Sequence, residues 1–198
     1  MLDSIRVSLQ KSPGKRLVGD EYDTLPSAAV CLILKPDSTL GQVSALLVRR
    51  RISETDPWSG QMAFPGGRTS RRDQGIMKTA VREVLEETGI DLTKCEMLGT
   101  LDDLIPTSNR SLRVTPFVAL APESTVVSVD GHEIVDYVWI PIAFFVDKNN
   151  SATYDVQRSE MSISVRCFPY LGTHIVWGMT LRMIEDFITK VHHSASFR

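Results

Sequence analysis

Long apolar runs, cysteine pairs and an excess of either charge are all missing from this sequence. No run of 18 apolar residues occurs, so no segment reads as a membrane-spanning helix, and the first residues lack the apolar core of a secretory signal. The three cysteines, Cys31, Cys95 and Cys167, are odd in number, scattered and form no Cys-x-x-Cys pair. That excludes a disulfide frame or a cysteine zinc site and leaves reduced core thiols, the usage expected of a cytoplasmic protein. Lys and Arg total 22 against 24 Asp and Glu, a formal charge of −2, which argues against nucleic acid as a general partner. Internal repeats, low-complexity tracts and linkers are lacking too. What is present, 42% hydrophobic and 23% charged residues in 198, suits a globular chain expected to form one domain, 1–198.

The chain is organised around residues 60–90. Gly60-Gln61-Met62-Ala63-Phe64-Pro65-Gly66-Gly67 makes a tight turn, and a helix predicted from Gln74 to Thr88 follows it, stopped by Gly89. Glu83, Glu86 and Glu87 stand at relative positions 0, 3 and 4, so they project from one helix face within a single turn. Like charges so placed repel one another. A bound divalent cation turns that repulsion into coordination, and carboxylate oxygens suit Mg²⁺ or Mn²⁺. The plainer alternative is a solvated acidic face. Met77, Ala80, Val81, Val84, Leu85 and Thr88 are expected on the side away from the cation.

Elsewhere the patterns are those of a mixed α/β chain. Residues 1–10 form a short amphipathic helix with Leu2, Ile5 and Leu9 on one side, broken by Pro13-Gly14. Ala28–Leu34 and Val43–Arg50 read as a hairpin of strands. Arg49, Arg50 and Arg51 end the second strand, and Arg68, Arg71 and Arg72 flank the acidic helix. They are either a solvated edge or a guanidinium clamp for phosphate; Arg49, Arg51 and Arg68 are the residues assigned to substrate. Trp58 and Phe64 read as packing residues. Met97–Leu101 is a strand, and Asp102-Asp103 are expected to cap and solvate a turn. Val114–Leu120 is a strand that Pro116 should place at an edge or bulge. Asp130–Glu133 form a turn, Ile134–Ile140 a strand, and Pro141 opens a short helix to Val146. Ala152–Val156 and Met161–Pro169 suggest a second hairpin. Phe168, Tyr170 and His174–Trp177 offer aromatics for a base or acyl pocket, or for the core. The last helix, Trp177 to about Val191, has an apolar stripe broad enough to be buried in the fold or in a homodimer.

The stretch Arg82-Glu83-Val84-Leu85-Glu86-Glu87-Thr88-Gly89-Ile90 resembles the second half of the Nudix box, Arg-Glu-U-x-Glu-Glu-x-Gly-U with U aliphatic, at every fixed position. The first half departs from it. Asp73 stands where the box has Glu, and one extra residue separates it from Arg82, leaving Asp73 or Gln74 for that place. The resemblance implies an α/β/α sandwich with a mixed β-sheet between helices, a box at about 66–90, and hydrolysis of a diphosphate bond in a nucleoside diphosphate linked to another group. It implies Glu83, Glu86, Glu87 and a carbonyl of Gly66 or Gly67 as metal ligands, with Arg82 orienting a helix carboxylate. The general base stays open among Glu86, Glu83 and Glu133.

Within that family, Phe64-Pro65-Gly66-Gly67, the long Asp73-to-Arg82 spacing, Leu98–Asp102, Pro106-Thr107-Ser108, Val114-Thr115-Pro116 and Trp177-Gly178-Met179-Thr180 are similar to the coenzyme A diphosphatase branch. Asp56 and Ile52 depart from its upstream signature, which has Arg and a small residue there. Coenzyme A or a derivative is therefore the expected small-molecule substrate, with ADP-ribose, a nucleotide sugar, a dinucleotide or another organic diphosphate as alternatives. A non-catalytic sensing module has no evident need for three juxtaposed acids. No dedicated cysteine–glutamate pair points to isomerisation of isoprenoid diphosphates.

Overall fold

Ser27–Asp37 (β1) and Gln42–Arg50 (β2) form the expected antiparallel hairpin, with Leu34 opposite Ala45 and Asp37 opposite Gln42. The computed structural model describes residues 1–53, 58–107, 109–129, 131–158 and 161–194. Asp56, Ser108 and Asp130, which enter the motifs and turns above, lie outside the described residues. β1 is the centre of a seven-stranded sheet. It runs parallel to Arg113–Leu120 (β6) along Ser27 to Leu34, and β6 pairs antiparallel with Glu96–Thr100 (β5). On the other side β2 pairs antiparallel with Ile134–Pro141 (β7) and with the short strand Met62–Ala63 (β3). Gly66–Arg68 (β4) pairs with the start of β1, setting Gly66 opposite Val30 and Gly67 opposite Ala29.

Alternation along β1 builds the layers. Ala29, Cys31 and Ile33, with Leu46 of β2, pack against Ala80 and Val84 of Ile76–Thr88 (α3). Leu32 and Leu34, with Ala45 and Leu47, face Leu2–Lys11 (α1) and Gly178–Ser194 (α5) through Ile5, Leu9, Leu181, Ile184, Phe187 and Val191. A strand covered on both faces must be apolar at consecutive positions, which is why β1 reads as an unbroken run. The result is an α/β/α sandwich around a mixed sheet. Ile142–Val146 (α4) adds Phe145 to the α5 side, and Asp20–Asp23 (α2) is a single exposed turn. A separate antiparallel sheet holds Ala152–Arg158 (β8), Met161–Tyr170 (β9) and His174–Trp177 (β10) in the order β10-β9-β8. The broad apolar stripe of α5 is covered within the chain.

Several expectations are corrected. α3 starts at Ile76, because Gln74 and Gly75 complete the preceding loop, and Trp177 closes β10 instead of opening α5. Leu85 is exposed: the buried stripe of α3 follows Ala80, Val84, Glu87 and Thr88, and Leu85 is turned off it. β6 is no edge strand but lies between β1 and β5. Pro116 is tolerated there because its carbonyl accepts from Leu101 N (2.9 Å) just past the end of β5, the side on which its missing N–H would also point.

Asp102 and Asp103 do not solvate a turn. Asp103 is buried, bonded to Arg16 Nη1 (2.5 Å), Thr115 Oγ1 (2.7 Å) and the Leu17 amide (3.1 Å). Asp102 accepts from Lys190 Nζ (2.7 Å) on α5 and from the Lys15 amide (2.9 Å). Together they tie residues 15–17 to the sheet and to α5. Asp103→Ala is expected to destabilise the protein by about 3 kcal/mol, since it strands a buried hydroxyl, an amide and a guanidinium. Chemical denaturation reads this directly; a loss under about 1 kcal/mol would show that the network holds nothing together.

Candidate active site

One turn of α3 places three carboxylates in three environments. The side chain of Glu87 is buried, that of Glu83 is partly covered, and that of Glu86 is exposed. Gly89 ends the helix in the left-handed conformation (φ 69°), its N–H donating to the Leu85 carbonyl at 2.9 Å. The placement of the acids depends on Gly66 and Gly67 of β4, a strand where a turn was expected, coming against them. Gly66 N donates to Glu87 Oε2 at 2.9 Å. A Cβ on Gly67 would lie 2.5 Å from the Glu83 carboxyl carbon, so only glycine lets the backbone come this close.

Arg82 is the hub. Its Nε and Nη2 donate to the two oxygens of Asp73 at 3.0 and 2.9 Å, a bidentate pair. Nη1 lies between Glu83 Oε1 (2.8 Å) and Glu86 Oε2 (3.0 Å), and Nη2 also donates to the Arg68 carbonyl at 3.2 Å. Asp73 accepts as well from the Ser70 amide (2.8 Å) and Thr79 Oγ1 (3.0 Å). The Arg82 guanidinium, then the Ser70 amide, hold the Asp73 carboxyl well below the usual carboxylate range. Between Asp73 and Gln74 the structure thus gives Asp73 the partnership with Arg82, while Gln74 is exposed.

These groups wall a cavity of about 470 Å³, the size of a small-molecule site. Arg50, Gly67, Arg68, Arg82, Glu83, Glu86 and Glu133 supply its polar lining, and Val30, Trp58, Phe64, Leu112, Val114 and Met179 its apolar lining. Arg50 Nη1 stands 3.6 Å from Glu87 Oε1. The electrostatics are strained. Burial pushes the Glu83 carboxyl up, against the opposing pull of Arg82. Burial pushes Glu87 up to about 7, against the Gly66 amide and Arg50, with Glu83 and Glu133 adding to the rise.

Oxygen donors, two of them desolvated and mutually repelling under a glycine backbone, fit a hard divalent cation. Among the described residues, however, no three such side chains yet close on one point, because Arg82 draws Glu83 and Glu86 toward itself.

A pH dependence of the metal-free protein follows. The folded chain keeps on Glu87, to about 7, a proton that the unfolded chain releases near 4.5. The contribution of this group to stability is therefore complete below about 4.5 and is lost as pH rises through 7, by about 3 kcal/mol at most. In chelator, thermal melts between pH 5 and 8 are expected to fall more steeply for wild type than for Glu87→Gln. Parallel slopes would remove Glu87 as the cause.

Comparison with known proteins decides the family. Residues 24–157 match the model of the NUDIX domain. The chain belongs to the Nudix family. The Nudix hydrolase NudL of Photorhabdus laumondii is 31% identical over 188 residues, 94% of each chain. NudL of Yersinia enterocolitica is 27% identical over 183 residues, 92% of this chain and 88% of that one. The crystal structure of a MutT/nudix family protein from Enterococcus faecalis overlays with a TM-score of 0.59 at 16% identity, covering 89% of this chain and 66% of that one, a likeness of fold. The protein is a Nudix hydrolase, of the class that cleaves diphosphate bonds in nucleoside diphosphate derivatives. No helix among the described residues is long and apolar enough to cross a membrane.

Of the Nudix residues singled out in the sequence, Gly67, Arg68, Arg82, Glu83, Glu86 and Glu133 meet at the cavity, with Glu87 behind Gly66. Arg49 does not join them: its guanidinium donates to the Thr173 carbonyl (3.1 Å) and lies 3.4 Å from Asp136. Arg51 is exposed and not part of the cavity wall, its amide donating to the Glu133 carbonyl at 2.8 Å. Arg50 takes the place at the site. Strand alternation could have separated it from its two neighbours, but an irregularity in the β2–β7 register falls between Arg49 and Arg50 and blurs that signal. Asp73 and Arg82 are marked in the sequence by their places in the box; the contact of Thr79 with Asp73 carries no signal beyond its residue type.

Proposed function

We propose that this Nudix hydrolase cleaves the diphosphate bond of coenzyme A or a derivative, releasing a mononucleotide and a phosphorylated remainder, with the whole of residues 1–198 acting as one unit in the cytoplasm. The observation that carries the reading is the pairing of an acidic centre, Glu83 and Glu87 under Gly66-Gly67, with Arg50 and Arg68 in the lining of the same cavity. Acids alone repel a diphosphate; acids that hold a cation beside guanidinium groups attract it.

Glu83 and Glu87 are the principal metal ligands in this reading, with Glu86 and a Gly67 carbonyl completing the set. Mg²⁺ or Mn²⁺ held there would neutralise diphosphate oxygens and lower the pKa of a bound water. Arg50 and Arg68 orient the diphosphate, since phosphoryl transfer asks the protein chiefly for positioning and charge neutralisation. Arg82 holds Glu83 and Glu86 in register through its bidentate hold on Asp73. Glu86 and Glu133, both exposed, can exchange protons with solvent, and the general base is assigned to one of them.

The coenzyme A assignment rests on the branch-like segments around Phe64–Gly67 and Trp177–Thr180. Incubation with Mg²⁺ and a panel of coenzyme A, ADP-ribose, NADH and diadenosine polyphosphates, followed by nucleotide analysis, tests it. Coenzyme A is expected to give the highest kcat/KM. Preferential turnover of another member would move the substrate, and turnover of none would end the reading.

A further inference from the structure

Thr79 lies on α3 ahead of Arg82 and is completely buried. A threonine inside a helix can turn its hydroxyl to a carbonyl of the preceding turn, as Thr88 does toward the Val84 carbonyl at 2.6 Å. Thr79 reaches out of the helix. Its Oγ1 stands 3.0 Å from Asp73 Oδ2 and 3.2 Å from Thr69 Oγ1, and Thr69 Oγ1 is 3.1 Å from Ser27 Oγ. A hydroxyl has one proton, and an ionised carboxylate can only accept. That fixes the order of donation: Thr79 to Asp73, Thr69 to Thr79, and Ser27 to Thr69. The relay begins on the first residue of β1, where the Thr69 amide also donates to the Ser27 carbonyl at 2.8 Å, and it ends on the carboxylate that grips Arg82.

Asp73 needs such an anchor. It belongs to the loop before α3, so helical geometry does not set its direction, yet its side chain is only 5% exposed. Thr79 ties it to the body of the helix independently of Arg82. The consequence reaches the acids through the guanidinium. With Nε and Nη2 held on Asp73, only Nη1 is left for Glu83 and Glu86, at 2.8 and 3.0 Å. Were Asp73 free to turn, the whole fork could follow the two glutamates. Arg82 would then compete with a cation for their oxygens, because a bidentate guanidinium–carboxylate pair is stronger than a shared single contact.

We propose that the Ser27–Thr69–Thr79 hydroxyl relay is a positioning device for the metal centre: by fixing Asp73 it keeps Arg82 from taking Glu83 and Glu86 for itself, and so raises the affinity of the site for a divalent cation. This rests on Glu83 and Glu87 being the principal metal ligands. Thr79 acts through Asp73 and Arg82 and is not part of the cavity lining, which makes it a positioning residue.

The test is a Mn²⁺ titration of the whole chain without substrate, read by the electron paramagnetic resonance signal of free Mn²⁺. Thr79→Val keeps the shape and removes the hydroxyl. It is expected to weaken Mn²⁺ binding about fivefold to tenfold, part of the worth of one hydrogen bond to a charged group, passed on through Asp73 and Arg82. Thr79→Ser should stay within about twofold of wild type, and Thr69→Val, one link further out, should lose about threefold. At saturating Mn²⁺ the Thr79→Val protein should recover the wild-type kcat. A merely structural role would lower the melting temperature and leave Mn²⁺ affinity where it was. Unchanged affinity in Thr79→Val, or an equal loss in Thr79→Ser, would overturn the proposal. If Thr79→Val does not fold, Thr69→Val decides alone, and unchanged affinity there has the same force. Glu87→Gln separates the outcomes. Lost Mn²⁺ binding in Glu87→Gln with none lost in Thr79→Val sinks the relay alone, whereas wild-type binding in Glu87→Gln sinks the ligand assignment and the relay with it.

Discussion

Glu87→Gln is expected to lower kcat by about a thousandfold while the protein stays folded, the order of loss when one electrostatic group of a catalytic centre is removed. The two side chains have the same shape, and the amide oxygen can still accept from Gly66 N, which now donates to Glu87 Oε2 at 2.9 Å. What disappears is one negative charge in a buried place, facing Arg50 at 3.6 Å. In the metal-free protein at pH 8 that charge is a burden, so the variant should melt at the same or a higher temperature than wild type. Steady-state kinetics on the best substrate of the panel, with paired melts, measure both effects. Near-normal turnover would remove Glu87 from the metal set, and a large drop in melting temperature would mean that its role is structural.

Alanine at Gly66 and at Gly67 should fail in different ways, although the positions are adjacent. A Cβ on Gly66 would stand 2.2 Å from the Ala29 carbonyl oxygen and 2.6 Å from the Val30 Cα, at a φ of 147°. Both neighbours are backbone of the central strand and cannot move without breaking the β1–β4 pairing. Gly66→Ala is therefore expected to destabilise the fold by about 4 kcal/mol or more, in the range reserved for such steric failures. A Cβ on Gly67 meets only the end of the Glu83 side chain, at 2.5 Å, and that carboxylate can swing away. Gly67→Ala should fold, with a small loss of stability, and lose activity because Glu83 is displaced from its place beside Glu87. Denaturation curves and kinetics on both variants decide it; similar stabilities would show that the turn yields more readily than its contacts imply.

The acidic helix and the β1–β2 hairpin are local patterns and stand close to where the spacing predicts, whereas Gly66 and Gly67, expected in a tight turn, belong to strand β4 because they pair with the central strand. Helical periodicity puts Glu83, Glu86 and Glu87 on one face whatever surrounds them. It does not say which will be buried. Glu87 is covered because Gly66, twenty-one residues earlier, pairs with the central strand above it. Arg50 reaches the site and Arg49 does not because neighbouring residues of β2 face opposite ways, and which face borders the cavity is set by the other segments that wall it. Asp103 is a buried anchor because Arg16 and Thr115 meet it there, and neither neighbour is visible from a turn-like Asp-Asp pair. Pro116 misled for the same reason: whether a missing donor matters depends on where the neighbouring strand ends.

By itself, then, the sequence determined the family, the kind of chemistry and the short-range elements, because these follow from residue types at fixed separations of a few positions. Only the tertiary structure decided which carboxylate is desolvated and which arginine lines the cavity. Those properties belong to pairs of segments, and burial and charge coupling are set by distances that the order of residues along a chain does not contain.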